Sequence, residues 1–151
     1  MEMSGEYLIP ANREAVWLAL NDIDVLQKCI PGCEEIQQIS ATELTAKVKV
    51  KIGPVKARFS GDVVLSDMIP PASYTISGKG NGGVAGFAKG GADVQLETVP
   101  EGTRLTYGAK AAVGGKLAQL GQRLIKSSSQ KLAGQFFDNF AAHFDPETDE
   151  G

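Results

Sequence analysis

Few residues in this chain have a type and spacing suited to bond-breaking chemistry. Cys29 and Cys33 stand four apart, so on one helical turn they would point the same way. A structural zinc site needs four ligands, and beyond these two cysteines the chain has a single histidine, His143. A redox dithiol usually has a shorter spacing, and Pro31-Gly32 breaks any helix between the two thiols. Two small side chains fixing a turn is the simpler reading. His143 suits the C-terminal end of a helix, where a cation complements the dipole. There is no serine–histidine–acid arrangement, and Asp62, Asp93 and Glu97 fall at positions expected to face water. Tyr74 and Tyr107 remain as inward polar groups, either orienting a ligand carbonyl or serving as core tyrosines. No catalytic residue and no metal site is expected.

The segment GKGNGGVAGFAKGG, from Gly78 to Gly91, contains G-x-G fragments but lacks the strand-to-helix context of a nucleotide loop. It reads either as a mobile loop gating a cavity, with Val84 and Phe87 as apolar contacts, or as an irregular hairpin. Lys47, Lys49, Lys51, Lys56 and Arg58 gather on two adjacent predicted strands. Such a patch is either a solvated face or a surface for an acidic partner or anionic lipid. A net charge of -3 argues against nucleic acid, which requires a basic excess to displace counterions.

These residues must be positioned by elements that the periodicity outlines. Met3 to Ile9 reads as a strand stopped by Pro10, followed by a helix capped by Asn12 and a second short helix over Ile23 to Ile30. From Cys33 onward the period changes to two. In ELTAKVKVKI, Leu44, Ala46, Val48, Val50 and Ile52 alternate with polar residues, and Val55 to Leu65 repeat the code after Gly53-Pro54. Further strands begin at Tyr74, Ala92 and Leu105, joined by Pro/Gly turns, which makes an antiparallel meander of six or seven strands. After Gly114-Gly115, Leu117, Leu120, Leu124, Leu132, Phe136, Phe140 and Phe144 form an apolar helical stripe. A helix from Lys116 to Phe144 would span roughly 43 Å.

The expected fold is therefore α+β: a curved antiparallel sheet wrapped around one long C-terminal helix, with a short helical pair after strand one. Residues 1–144 make one domain and 145–151 an acidic flexible tail. The N-terminus lacks a basic segment followed by an apolar run, and no stretch reaches the ~18 apolar residues of a membrane span, so the cytoplasm is the expected compartment. Small residues at inward positions, among them Gly78 and Ala109, leave volume that one helix does not fill. An apolar interior lined by Val48, Val50, Phe59, Tyr74, Ile76, Gly78, Phe87, Tyr107, Ala109, Leu124, Phe136 and Phe140 is expected to hold a hydrophobic molecule.

This order of elements resembles the helix-grip superfamily of START-like and polyketide-cyclase-like proteins. NREAVWLALNDIDVLQKCIPGCEEI, then KIGPVKARFSGDV, then the Gly-rich segment are similar to the carbon monoxide dehydrogenase G-subunit family, over roughly residues 3 to 144. The most specific pieces are Cys29-Ile30-Pro31-Gly32-Cys33 and Gly53-Pro54 with Phe59 and Gly61. The resemblance implies a non-catalytic accessory protein of a molybdenum-containing dehydrogenase of the carbon monoxide or xanthine dehydrogenase type. It further implies a quinone or other lipid-like ligand, and a part in electron-acceptor delivery, maturation or peripheral recruitment to the inner face of the membrane. Many members carry a C-terminal extension reaching the membrane, whereas this sequence ends in DPETDEG. The other readings on the same fold are a cyclase or aromatase enzyme and a protein adaptor without a ligand.

Overall fold

The alternation of apolar and polar residues becomes a seven-stranded antiparallel sheet in the computed structural model, which describes residues 1–144. The expected acidic tail, 145–151, lies outside the described residues. β1 (Glu2–Ile9) is followed by α1 (Arg13–Leu20) and α2 (Ile23–Cys29). Then come β2 (Cys33–Ser40), β3 (Glu43–Ile52), β4 (Val55–Ile69), β5 (Ser73–Asn81), β6 (Phe87–Val99) and β7 (Gly102–Gly114). α3 (Lys116–Gln119) and α4 (Gln122–His143) close the fold. The strand order is β1-β7-β6-β5-β4-β3-β2, so the meander closes its first strand against its last.

Local chemistry sets the boundaries. The Asn12 side chain accepts a hydrogen bond from Ala15 N at 2.8 Å and caps α1, and Asp22 accepts one from Asp24 N at 2.9 Å to start α2. The buried Thr103 hydroxyl donates to Ala11 O at 2.7 Å, which ties the exit of β1 to the start of β7. The final helix departs from expectation. It does not run unbroken from Lys116, because Gly121 at φ +87° separates α3 from α4, a backbone conformation that glycine adopts without penalty. α4 is thus 22 residues, about 33 Å long.

The core occupies one end of the sheet. Ile9, Val16, Trp17, Leu20, Val25, Cys29, Leu65, Tyr74, Val94, Leu96, Leu105, Tyr107 and Phe140 form one buried cluster. It is roofed by α1, α2 and the C-terminal half of α4. Phe137 stacks on Tyr7 with ring centroids 4.2 Å apart, and Trp17 meets Tyr74 edge-on at 5.3 Å. The Asn139 side chain donates to Cys29 O at 3.0 Å, locking α4 to α2. At its other end α4 rests Leu124 against Gly53 in the β3–β4 turn; a Cβ on Gly53 would lie 2.9 Å from Leu124 Cδ2. The helix therefore crosses the concave side from the β3–β4 turn to β1.

Two outcomes follow. Phe140 is fully buried, so Phe140→Ala should lower unfolding free energy by ~3–5 kcal/mol. The exposed Leu18→Ala should change it by less than ~0.5 kcal/mol. Denaturant titration of both variants checks this.

The second concerns alkaline pH. Burial pushes the Tyr74 phenol well above its ordinary range, and Tyr107 moves the same way from burial and the neighbouring Tyr7. In the unfolded chain tyrosine ionises near about pH 10, so above that pH the unfolded state holds fewer protons than the native one. The stability from a neutral, buried Tyr74 is fully present below about pH 10 and declines as pH rises beyond it. Urea midpoints at increasing pH should show this decline, and Tyr74→Phe should reduce its slope.

Candidate functional site

The other end of the sheet is built differently. Antiparallel register places Ile76, Ala92 and Ala109 side by side on the concave face, Gly78, Gly90 and Ala111 on the next rung, and Gly80 and Ala88 beyond. Across β5, β6 and β7 these three rungs carry Ile76 and, beside Ala88, Val113, and otherwise only alanine and glycine. Together with Lys79, Lys89, Gly91 and Lys110 they line a shallow, open apolar cleft of about 350 Å³. The glycines of this wall are not all demanded by backbone geometry. A Cβ on Gly78 would meet Asp62 O at 3.5 Å and Val63 Cγ2 at 3.8 Å, and one on Gly80 would meet Ser60 O at 3.8 Å, which are ordinary contacts. Gly90 differs, since a Cβ there would lie 2.3 Å from Lys110 O. At Gly78 and Gly80 a larger residue would fit, so the missing side chains leave open space.

Facing this wall are the N-terminal half of α4 and the concave residues of β3 and β4. Val48, Val50 and Phe59 are half-buried, as is Leu124. The Phe59 ring lies over Gly82, where a Cβ would come within 2.5 Å of Cε1, so Phe59 borders the β5–β6 connection. Lys126 and Gln130 of α4 share a separate polar depression of about 780 Å³ with residues that include Met3, Ala92 and Ala109. These two polar side chains were not anticipated from the sequence. Their signal was available: both fall on α4 between the apolar positions Ile125 and Leu132, in the half of the helix away from the phenylalanines.

The expected set of interior residues therefore divides. Ile76, Gly78 and Ala109 line the Gly/Ala cleft. Val48, Val50, Phe59 and Leu124 stand at the same end of the sheet, opposite it. Tyr74, Tyr107 and Phe140 belong to the buried core cluster, with Phe136 packed against it, and Ile76 and Ala109 touch both the cluster and the cleft. Tyr74 is 6% exposed and held by Trp17, and Tyr107 lies in the stack with Tyr7 and Phe137, so neither tyrosine is among the cleft-lining residues. Alternation does put Tyr74 and Gly78 on one face, but the helical roof over one end assigns them to different compartments.

Phe87 is on the opposite face from the one expected. Its rung partners are Asn81 and Gly114, which alternate with the concave Gly80 and Ala88, and its ring folds over Gly114 on the outside of the sheet. It is 51% exposed and does not close the cleft. The Gly-rich segment is a hairpin: β5 and β6 account for most of it, and only residues 82–86, with a single 3₁₀ turn at Gly83–Ala85, connect them.

Cys29 is buried and Cys33 half-buried, both as free thiols; burial raises both pKa values, which disfavours the thiolate needed for metal or redox work. Among the described residues no group of three or more His, Cys, Asp or Glu side chains is placed to hold a metal ion. His143 closes α4 with its ring edge-on to Phe144 at 5.1 Å. Asp62, Asp93 and Glu97 all face solvent. Among the described residues, no helix is long and apolar enough to cross a membrane.

Comparison with solved structures places this architecture among known ones. A conserved protein from Geobacillus kaustophilus superposes with a TM-score of 0.89 at 30% identity, covering 95% of this chain and 94% of that one. A Chromobacterium violaceum protein gives 0.73 at 12% identity over 96% and 98%. The Zhui aromatase/cyclase from Streptomyces sp. R1128 gives 0.65 at 10% identity over 95% and 92%, a likeness of fold. No curated protein sequence matches the chain. The family model for the carbon monoxide dehydrogenase G subunit (CoxG) matches residues 5–144, so nearly the whole described domain, cleft included, falls within that match, and the chain belongs to the CoxG family.

Proposed function

We propose that this chain is a non-catalytic accessory protein of a molybdenum-containing dehydrogenase of the carbon monoxide or xanthine dehydrogenase type. In this reading it holds a quinone or similar lipid-like molecule in the cleft over Gly78, Gly90 and Ala111. Family membership supports the accessory role, and the observation that carries the ligand is the three-rung Gly/Ala wall. A volume of about 350 Å³ lies within the range of small-molecule sites, roughly 300–1,000 Å³, and suits a ring more than a large lipid.

The residues fit such a group. The side chains that the three rungs present are methyl-sized or absent apart from Ile76 and Val113, a flat surface for a ring to lie against. Each 100 Å² of apolar ligand surface removed from water contributes ~2.5 kcal/mol before the costs of association. Ring carbonyls require one or two donors. Lys126 and Gln130, beside Ala92 and Ala109, take the role first expected of Tyr74 and Tyr107. Isoleucine, alanine and glycine side chains serve apolar contact rather than proton transfer, which favours a carrier over a cyclase. Quinones partition into bilayers, so delivery of an electron acceptor includes cytoplasmic work with peripheral contact at the inner membrane face.

Filling the cleft tests this. Calorimetric titration with a short-chain benzoquinone should show saturable one-to-one binding to wild type at micromolar concentration. Gly78→Leu and Ala109→Phe should each weaken it about tenfold or more, a change of ~1.4 kcal/mol, while thermal unfolding stays cooperative. If wild type binds neither a quinone nor another lipid, the carrier reading fails and an adaptor without ligand replaces it.

A further inference from the structure

The outer face of the same strands carries a second depression, of about 670 Å³, on two adjacent rungs. One rung runs Asp62, Lys79, Lys89, Ala112; the next runs Val64, Ser77, Gly91, Lys110, Glu2. Lys79 and Lys89 are direct cross-strand partners. Residues so placed have Cβ atoms roughly 4.5–5.5 Å apart, and like charges there destabilise the sheet. Among the described residues no carboxylate lies within 4.0 Å of either ammonium group. Lys110 pairs with Glu2 at 3.6 Å, but both ends of that pair are largely in water, where such a pair is weak.

Between the lysines the floor is apolar. Gly91 and Ala112 keep it low, Val64 exposes 46% of its surface to it, and the backbone of Gly78 and Gly90 shows through from beneath. Lysine stems flank such a floor with methylenes while their heads stay at the rim. An inorganic anion would satisfy the lysines and leave Val64 and Ala112 wet. A neutral apolar molecule would cover the floor and leave Lys89, whose rung neighbours are Lys79 and Ala112, without an opposite charge across the strand.

We infer that this outer groove is a binding site for a small anionic amphiphile, a molecule with an apolar body and one carboxylate or phosphate head placed between Lys79 and Lys89. The site is distinct from the concave cleft and does not depend on the quinone reading. The two lie on opposite faces of the sheet, and Gly78, Lys79, Lys89, Gly90, Gly91, Lys110 and Ala111 border both.

The test is amide chemical-shift mapping of the whole chain with decanoate below its micelle concentration, with decanol and with phosphatidylglycerol vesicles. Decanoate should saturate at one-to-one stoichiometry, with the largest shifts at Lys79, Lys89, Gly91 and Ala112. Added salt should weaken it. Lys79→Gln and Lys89→Gln should each lower its affinity about tenfold, the scale of one charge-assisted hydrogen bond. Lys89→Gln removes a like-charge contact and leaves Asp62 opposite Lys79, so its thermal midpoint should hold or rise. Ala109→Phe, on the concave side, should leave decanoate binding unchanged, and decanol should not produce the outer-face shifts. The inference is overturned if decanoate does not saturate, if its shifts fall on the Ile76 and Ala109 side, or if the glutamine variants bind as tightly as wild type. It is equally overturned if these lysines bind only the vesicles, which would make the face a bilayer-contact surface rather than a site for a single amphiphile.

Discussion

The structure turns on how α4 is held. Its C-terminal half is clamped by Phe137 on Tyr7, by the fully buried Phe140 and by the Asn139 hydrogen bond to Cys29 O. Its N-terminal half is seated by the buried Ile125 and by Leu124 against the glycine of the β3–β4 turn, and Gly121 breaks its backbone continuity with α3. One rod with its aromatic side chains gathered at one end divides the concave face in two. Under the clamp, aromatic and aliphatic side chains form one buried cluster. Beyond it, glycine and alanine on β5, β6 and β7 leave the wall bare, and that wall forms the shallow cleft.

That division explains why a large part of the fold was legible in the sequence and the site was legible only partly. Strict alternation in Glu43–Ile52 and Val55–Leu65 determines which side chains share a face, because a strand has period two whatever packs on it. Asn12 and Pro10 mark the first boundary by capping and by the lost N–H. The same alternation correctly groups Tyr74, Ile76 and Gly78, but a face is not a compartment. Which residues α1 and α2 cover depends on tertiary packing with Trp17 and Val16, and no local pattern states it. Tyr74 was therefore expected beside a ligand and lies beneath a tryptophan.

Phe87 illustrates a different limit. Residues 82–86 contain a 3₁₀ turn and two glycines at positive φ, Gly83 and Gly86, and such a connection resets the phase of alternation. Parity counted through it from β5 cannot say whether Phe87 points in or out; the partner Gly114, without a side chain, lets the ring fold outward over β7. The start of the long helix was also hidden. Gly121 stands among residues at helical spacing, and only its left-handed backbone shows that the helix starts afresh at Gln122.

The central claim is that the bare wall of β5, β6 and β7 is occupied by a hydrophobic molecule. Alanine methyl groups report on it directly, since Ala88, Ala92, Ala109 and Ala111 line the cleft while Ala112, one residue on, faces the opposite side. With alanine methyls isotopically labelled and a short-chain quinone added, intermolecular nuclear Overhauser effects from the quinone ring should reach Ala92, Ala109 and Ala111 and spare Ala112. Contacts to Ala112 alone, or none to any of the four with quinone in excess, would contradict the account.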